Sequence, residues 1–263
     1  IENTYREEQF ITLNLKEKKV NITDTVFSTG HCKSYYRSAV FYNEKVAEKD
    51  YELTGIPLKK KKKKKKKKRG NSTKQRERER KEKEEKQELL DNKMNKIKEA
   101  LTDDGYSVDT VTAFSLIKDG RSEQNPERIY SMDFVLEELV KKVGRNYIFN
   151  IGTLIGEPFL VEEKHKKRHN DVYFRNAKTH QLTFTVKVPS GFKPSGFKNL
   201  NKKIDNPSML YEVKAILKGD RLEVRYTLAY KTNHVKVEKW PEVLSVFTAV
   251  QDFYESKLMF KKK

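Results

Sequence analysis

Tyr211-Glu212-Val213-Lys214-Ala215-Ile216-Leu217-Lys218, then Gly219-Asp220, then Arg221-Leu222-Glu223-Val224-Arg225-Tyr226-Thr227-Leu228-Ala229-Tyr230 is the stretch on which the fold turns. Apolar side chains recur at every second position on both arms, and a Gly-Asp pair separates the arms. That is the pattern of an antiparallel hairpin with one face packed and the other wet. Just upstream, Leu182, Phe184, Val186 and Val188 interleave with Thr183, Thr185 and Lys187 until Pro189 and Gly191 end the run. Weaker versions of the same alternation begin after Gly105, at Val111, Ala113 and Ser115, at Met132, Phe134 and Leu136, and at Tyr147 and Phe149. Downstream the period lengthens. Trp240, Val243, Leu244, Phe247, Val250 and Tyr254 recur at helical spacing, and Pro241 suits a first helical turn. The spacing predicts a helix that covers the sheet or one of its ends.

Working towards the N-terminus, Phe10, Leu13, Leu15, Val20 and Ile22 flank the polar run 16–19 and predict a short hairpin, placed as an edge element. Tyr35, Tyr36, Ala39, Phe41, Tyr42 and Val46 suit a helix over about 34–51, stopped by Gly55 and Pro57. From Arg76 to Glu88 basic and acidic residues alternate, with Leu89, Leu90, Met94, Ile97 and Leu101 following. Charge pairs three and four apart support a helix at roughly 0.2–0.5 kcal/mol each, and an apolar stripe confined to its end predicts that it projects and docks by its last turns. The fold class expected is therefore α+β and β-rich, with an antiparallel β-sandwich-like module at 105–263 closed by a helix. A lysine tract and charged helical spacer at 59–104 precede it, after a small N-terminal piece at 1–58.

Composition constrains function next. The chain of 263 residues holds 57 Lys and Arg against 38 Asp and Glu, a net charge of +19. Eleven of those positive charges stand side by side: Lys59, Lys60, Lys61, Lys62, Lys63, Lys64, Lys65, Lys66, Lys67, Lys68 and Arg69. The excess is thus a local tract and not the broadly basic surface of a compact nucleic-acid binder. Such a tract attracts polyanions by counterion release, so binding of a nucleic acid or an anionic membrane surface through these residues is the rival to a solvated spacer. Aromatic residues that would stack on bases are missing from 59–101, which argues against nucleic acid. At 35% hydrophobic residues the chain supports modest cores. One cysteine excludes an intrachain disulfide, and no run approaches the ~20 apolar residues of a membrane span. The opening isoleucine suggests a processed or trimmed product.

Two spots invite a chemical reading. Gly30-His31-Cys32-Lys33 precedes the expected helix at 34–51, and a cysteine at a helix N-terminus after a glycine is the arrangement that lowers a thiol pKa for nucleophilic attack. A cysteine enzyme also needs a histidine to take the proton and a carboxylate or amide to orient it, and the next histidine downstream is His165, in a lysine-rich loop. His165 and His169 lie four apart, as two ligands on one helical face would. Lys166, Lys167 and Arg168 between them oppose a divalent cation. No catalytic residue, metal, cofactor or small-molecule substrate is expected.

Three blocks of sequence carry a resemblance. They are Leu139-Val140-Lys141-Lys142-Val143-Gly144-Arg145-Asn146-Tyr147-Ile148-Phe149 with Gly152-Thr153-Leu154-Ile155-Gly156; Asn170-Asp171-Val172-Tyr173, Phe184 to Gly191 and Leu200-Asn201-Lys202-Lys203; and Trp240-Pro241-Glu242-Val243-Leu244 through Phe253 to Lys263. Together they resemble the C-terminal, post-catalytic region of Bacteroidetes transglutaminase-like proteins that carry a domain of unknown function before a transglutaminase core. The lysine-rich spacer and Ser28, Gly30 and His31 are also similar to that family. The resemblance implies that the family's catalytic Cys, His and Asp belong to a core upstream of this chain, since none maps onto a residue here. It implies export to the periplasm or cell surface, a non-catalytic structural or protein-binding role, and a partner that is either another envelope protein or the upstream core. The expected contact surfaces are the exposed sheet edge and the closing helix.

Overall fold

The computed structural model describes residues 2–40, 72–121, 124 and 126–263. Its strands are β1 (Thr4–Asn14), β2 (Lys19–Ser28), β3 (Val108–Asp119), β4 (Arg128–Leu136), β5 (Val140–Val143), β6 (Asn146–Phe149) and β7 (Val172–Tyr173), followed by β8 (Lys178–Lys187), β9 (Phe192–Ser195), β10 (Lys202–Asp205), β11 (Met209–Lys218), β12 (Arg221–Tyr230), β13 (His234–Val235) and β14 (Leu258–Lys262). The helices among the described residues are α1 (Arg37–Val40), α2 (Ser72–Asp103), α3 (Glu163–Lys166) and α4 (Trp240–Tyr254). Eight strands form one sheet in the order β10-β11-β12-β8-β1-β2-β4-β3; a second sheet runs β5-β6-β14-β9, and β13 pairs with β7. The two larger sheets and α4 share one apolar core, so the fold is a β-rich α+β arrangement of sandwich-like form.

The hairpin expected between Tyr211 and Tyr230 is present as β11 and β12, joined by the two residues Gly219-Asp220 with φ +60° at the glycine, where an L side chain would be strained. Met209, Tyr211, Val213 and Ala215 on one arm and Leu222, Val224 and Tyr226 on the other are buried, while the intervening residues face out. In α4 the buried set Trp240, Val243, Val246, Phe247, Val250 and Phe253 follows the helical repeat and packs on β11, with the Tyr226 and Phe253 rings 5.4 Å apart. The Trp240 Nε1–H donates to the His165 carbonyl at 2.8 Å, so the one tryptophan has both its ring buried and its polar atom satisfied. The short turn Ile151–Ile155 abuts the end of α4 so closely that a Cβ on Gly152 would lie 2.0 Å from the Phe253 carbonyl oxygen. α2 docks by its last turns: Ile97 and Leu101 are buried, whereas Leu89 and Leu90 are exposed.

Several expectations are corrected. The N-terminal hairpin is not an edge element; β1 lies at the centre of the large sheet, hydrogen-bonded to β2 on one side and β8 on the other. It therefore shares its sheet and core with strands beyond residue 105 and does not form a small piece of its own over 1–58. Nor is the sheet wholly antiparallel, because β1 and β8 run parallel. Long sequence separation permits this, since parallel neighbours need a long connection and residues 15–177 intervene. The closing helix is present as expected, and β14 follows α4 and inserts between β6 and β9. Where a helix is expected over 34–51, the structure has a 3-10 turn at Gly30–Ser34 and α1, and residues 41–51 of that expectation lie outside the described residues.

Candidate functional site

Strand parity decides what the inner face of β1 carries. Tyr5, Glu7, Gln9 and Ile11 point into the core and Phe10 is exposed. Gln9 stands opposite Asp24 of β2, Tyr5 opposite Ser28 and beside His180 of β8, and Ser28 in turn opposite Arg128 of β4. One end of an otherwise apolar sheet face is thus floored by ionisable groups, among which Glu7 is 7% exposed, Asp24 0% and Arg128 1%. Burying a charge costs several kcal/mol unless it is paired, so such a floor either neutralises its groups or pairs them.

Both devices are present. Gln9 Nε2 donates to Glu7 Oε1. Burial, and then the Glu7 charge, push the Asp24 carboxyl well above the usual range, and burial also raises Glu7 against the lowering effect of hydrogen bonds from Gln9 and Tyr5. No donor among the described residues reaches either Asp24 oxygen in good hydrogen-bond geometry, and the nearby Thr25 amide only partly offsets the rise. Both carboxyls are raised by burial, and Asp24 by Glu7 as well, so sharing a proton between Glu7 and Asp24, which removes one of two buried charges, is the device their environment favours. Burial likewise raises the phenols of Tyr5, Tyr106 and Tyr130, which stay protonated. It lowers His180 to about 4, so the imidazole is neutral at physiological pH, and its buried Nε2 has no partner among the described residues. Arg128 donates to the Tyr35 carbonyl at 2.6 Å and Lys178 to the Tyr35 hydroxyl at 2.7 Å, so the cations of this end gather at Tyr35.

Above Glu7 lies a cavity of about 680 Å³. Its walls are Tyr5, Tyr35, Tyr36 and Tyr106, the end of α2 at Asp103 with Asp104 following, the segment from Ile155 to Phe159, and His180 and Leu182. Tyr36 donates its hydroxyl to Asp104, and Tyr106 donates to the Leu154 carbonyl at 2.8 Å, tying the walls together. A hollow of about 790 Å³ beside the β1–β2 turn has the exposed residues Glu17, Lys18, Glu137, Glu138 and Lys141 and the partly buried Lys19 in its lining, and holds no comparable buried pair among the described residues. The arrangement above Glu7 can accept hydrogen bonds and stabilise positive charge; among the described residues it presents no activated nucleophile.

The residues singled out in the sequence fare differently. The tract from Lys59 through Lys68 to Arg69 lies outside the described residues. Cys32 is buried in the 3-10 turn, and burial pushes its thiol up, opposite to the direction a nucleophile needs. His165 accepts a hydrogen bond from the Glu162 amide at Nδ1 over 3.0 Å and packs 4.7 Å from the Phe159 ring. Since α3 ends at Lys166, His165 and His169 share no helical face. Among the described residues no three His, Cys, Asp or Glu side chains gather as a metal shell. Glu7, Asp24 and His180 were not anticipated. Both parities of the run from Thr4 to Ile11 mix polar and apolar residues, so period alone could not say which set faces inward.

Residues 153–260 match the family model of a domain of unknown function with a solved structure, DUF3858. No curated protein and no solved structure matches the chain. The matched segment runs from the turn after β6 to β14 and includes the wall from Ile155 to Phe159, His180 and α4.

Proposed function

We propose that this chain is a non-catalytic, protein-binding C-terminal region of an exported transglutaminase-like protein, docking a catalytic core or an envelope partner at the periplasm or cell surface. Two things support the reading: the sequence blocks that resemble that family, and their overlap with the matched stretch 153–260. The observation that carries the protein-binding part is the pair Phe159 and Leu160, 46% and 43% exposed beside the closing helix, where the Phe159 ring packs at a tilt 5.2 Å from that of Phe247. Large apolar side chains held in place at the surface suit a protein contact.

The sheet edges suit one less well than expected. β3 carries three register shifts against β4, β5 and β10 are lysine-bearing and short, and β9 contains Pro194, all features that discourage strand addition. In the full-length protein in its own cells, a photo-crosslinking residue at Leu160 should yield a discrete protein adduct that Phe159→Ser abolishes. An equal yield from the wet face at Thr25 would refute the reading. The eleven adjacent cations at 59–69 favour a second reading, an anionic-surface contact. A salt titration against anionic vesicles, with the lysines changed to Gln, separates the two.

A further inference from the structure

The cavity above Glu7 has a charge arrangement opposite to that of the chain as a whole. The sequence holds 57 Lys and Arg, yet no Lys or Arg of the described residues is among those lining the cavity. Exposed carboxylates stand at its mouth, Asp103 at the end of α2, Asp104 just after it and Glu157 on the facing segment. At its floor sits Glu7, more than nine-tenths buried, with Asp24 beside it fully buried and without a donor in good hydrogen-bond geometry among the described residues, and His180 Nε2 is buried without a partner among them at the wall. The nearby cations are already committed: Lys178 and Arg128 to Tyr35, and Lys33 to the Gly120 carbonyl at 2.8 Å. Between mouth and floor the walls are four tyrosines, with Phe159 at the rim.

Exposed carboxylates draw a cation in, aromatic faces hold it, and a buried acceptor completes its desolvation. A metal ion would need a tighter gathering of ligands than any found among the described residues. We propose that this cavity is a recognition site for one organic cation on an aliphatic stem, the side chain of a lysine or arginine presented by the bound partner. The inference rests on the protein-binding reading and deepens it: Phe159 and Leu160 would grip apolar neighbours while the cationic side chain enters beside them. A volume of about 680 Å³ is ample for one extended side chain and part of its backbone.

Binding is linked to the shared proton. The cation favours the doubly ionised Glu7–Asp24 pair, so its entry expels up to one proton, and affinity rises with pH by at most about tenfold per unit.

The test is calorimetry on the whole chain with Nα-acetyl-lysine methylamide and its arginine counterpart, against the neutral Nα-acetyl-norleucine methylamide. Two buffers of different ionisation heat are used. Saturable binding of a cationic probe, at least tenfold tighter than the neutral one and accompanied by proton release at pH 7, is expected. Glu157→Gln, at an exposed position, should weaken it about threefold, and Glu7→Gln should weaken it tenfold or more and abolish the proton release. Equal affinity for the neutral probe, no binding at probe concentrations up to about 50 mM, or unchanged affinity in Glu157→Gln would overturn the inference. Failure of the probes with the Leu160 adduct intact defeats this inference alone. Loss of the adduct with the probes still binding defeats the protein-binding reading instead.

Discussion

Replacing Asp24 by asparagine should stabilise the protein at high pH and leave it unchanged at low pH. Asp24 is fully buried, its oxygens lack a donor in good hydrogen-bond geometry among the described residues, and burial together with Glu7 raises its carboxyl. An acid whose folded pKa is raised binds more protons folded than unfolded. Its stability contribution is therefore complete below the unfolded value of about 3.9 and is lost as pH climbs towards the folded one. For one proton the loss can be no steeper than about 1.4 kcal/mol per pH unit. Asparagine keeps the shape, cannot ionise, and offers Glu7 two N–H donors in place of a second acceptor. A buried polar group without a partner costs about 1–3 kcal/mol, and that is the gain expected for Asp24→Asn at pH 8. At pH 4, where aspartic acid is itself a donor, the two proteins should agree within about 0.5 kcal/mol, the usual scatter of neutral substitutions. Urea denaturation of both proteins at half-unit steps from pH 4 to 8 measures the difference for the Glu7–Asp24 pair as a unit, because titrating groups remote from the pair cancel between them. A difference that stays flat with pH, or an Asp24→Asn protein less stable than the parent at pH 8, would refute the shared-proton account.

Other substitutions probe the frame around the site. Gly152→Ala should destabilise by about 1–3 kcal/mol or more, seen as a lower urea midpoint, because its Cβ would meet the Phe253 and Tyr254 carbonyls at 2.0 and 2.4 Å. Leu101→Ala should cost about 2–5 kcal/mol and speed amide exchange in the last turns of α2, whereas Leu89→Ala on the exposed stretch should change stability by less than about 0.5 kcal/mol. His180 should titrate near 4 by NMR. Since that is below the unfolded value of about 6.5, its contribution is present above pH 6.5 and is lost as pH falls towards 4, which His180→Gln would remove. Trp240→Phe should cost about 1 kcal/mol through the unmet His165 carbonyl.

Much of the β-module was legible because its alternation is strong: Tyr211 to Tyr230 and Leu182 to Val186 put nearly every apolar residue of a strand on one parity, Ile216 and Ala229 excepted, and α4 repeats its apolar residues every three or four positions. The same logic failed at the N-terminus. There Phe10 and Leu13 suggested the buried set, while Tyr5, Glu7, Gln9 and Ile11 occupy it. A carboxyl on the inner face is disfavoured taken alone and becomes tolerable only when a second carboxyl, an amide and a proton are brought to it from other strands.

Local periodicity, turn residues and charge spacing are properties of neighbours in the chain, so the sequence by itself determined the β11–β12 hairpin, the helix begun by Trp240 and Pro241, and the docking of the charged helix by its last turns. The parallel seam between β1 and β8, the threading of β14 into the small sheet and the convergence of Glu7, Asp104 and His180 on one cavity were decided only by the tertiary structure. Each of these joins residues scores of positions apart. Their pairing depends on which faces remain to be buried once the local elements have formed, a condition that no stretch of the chain expresses alone.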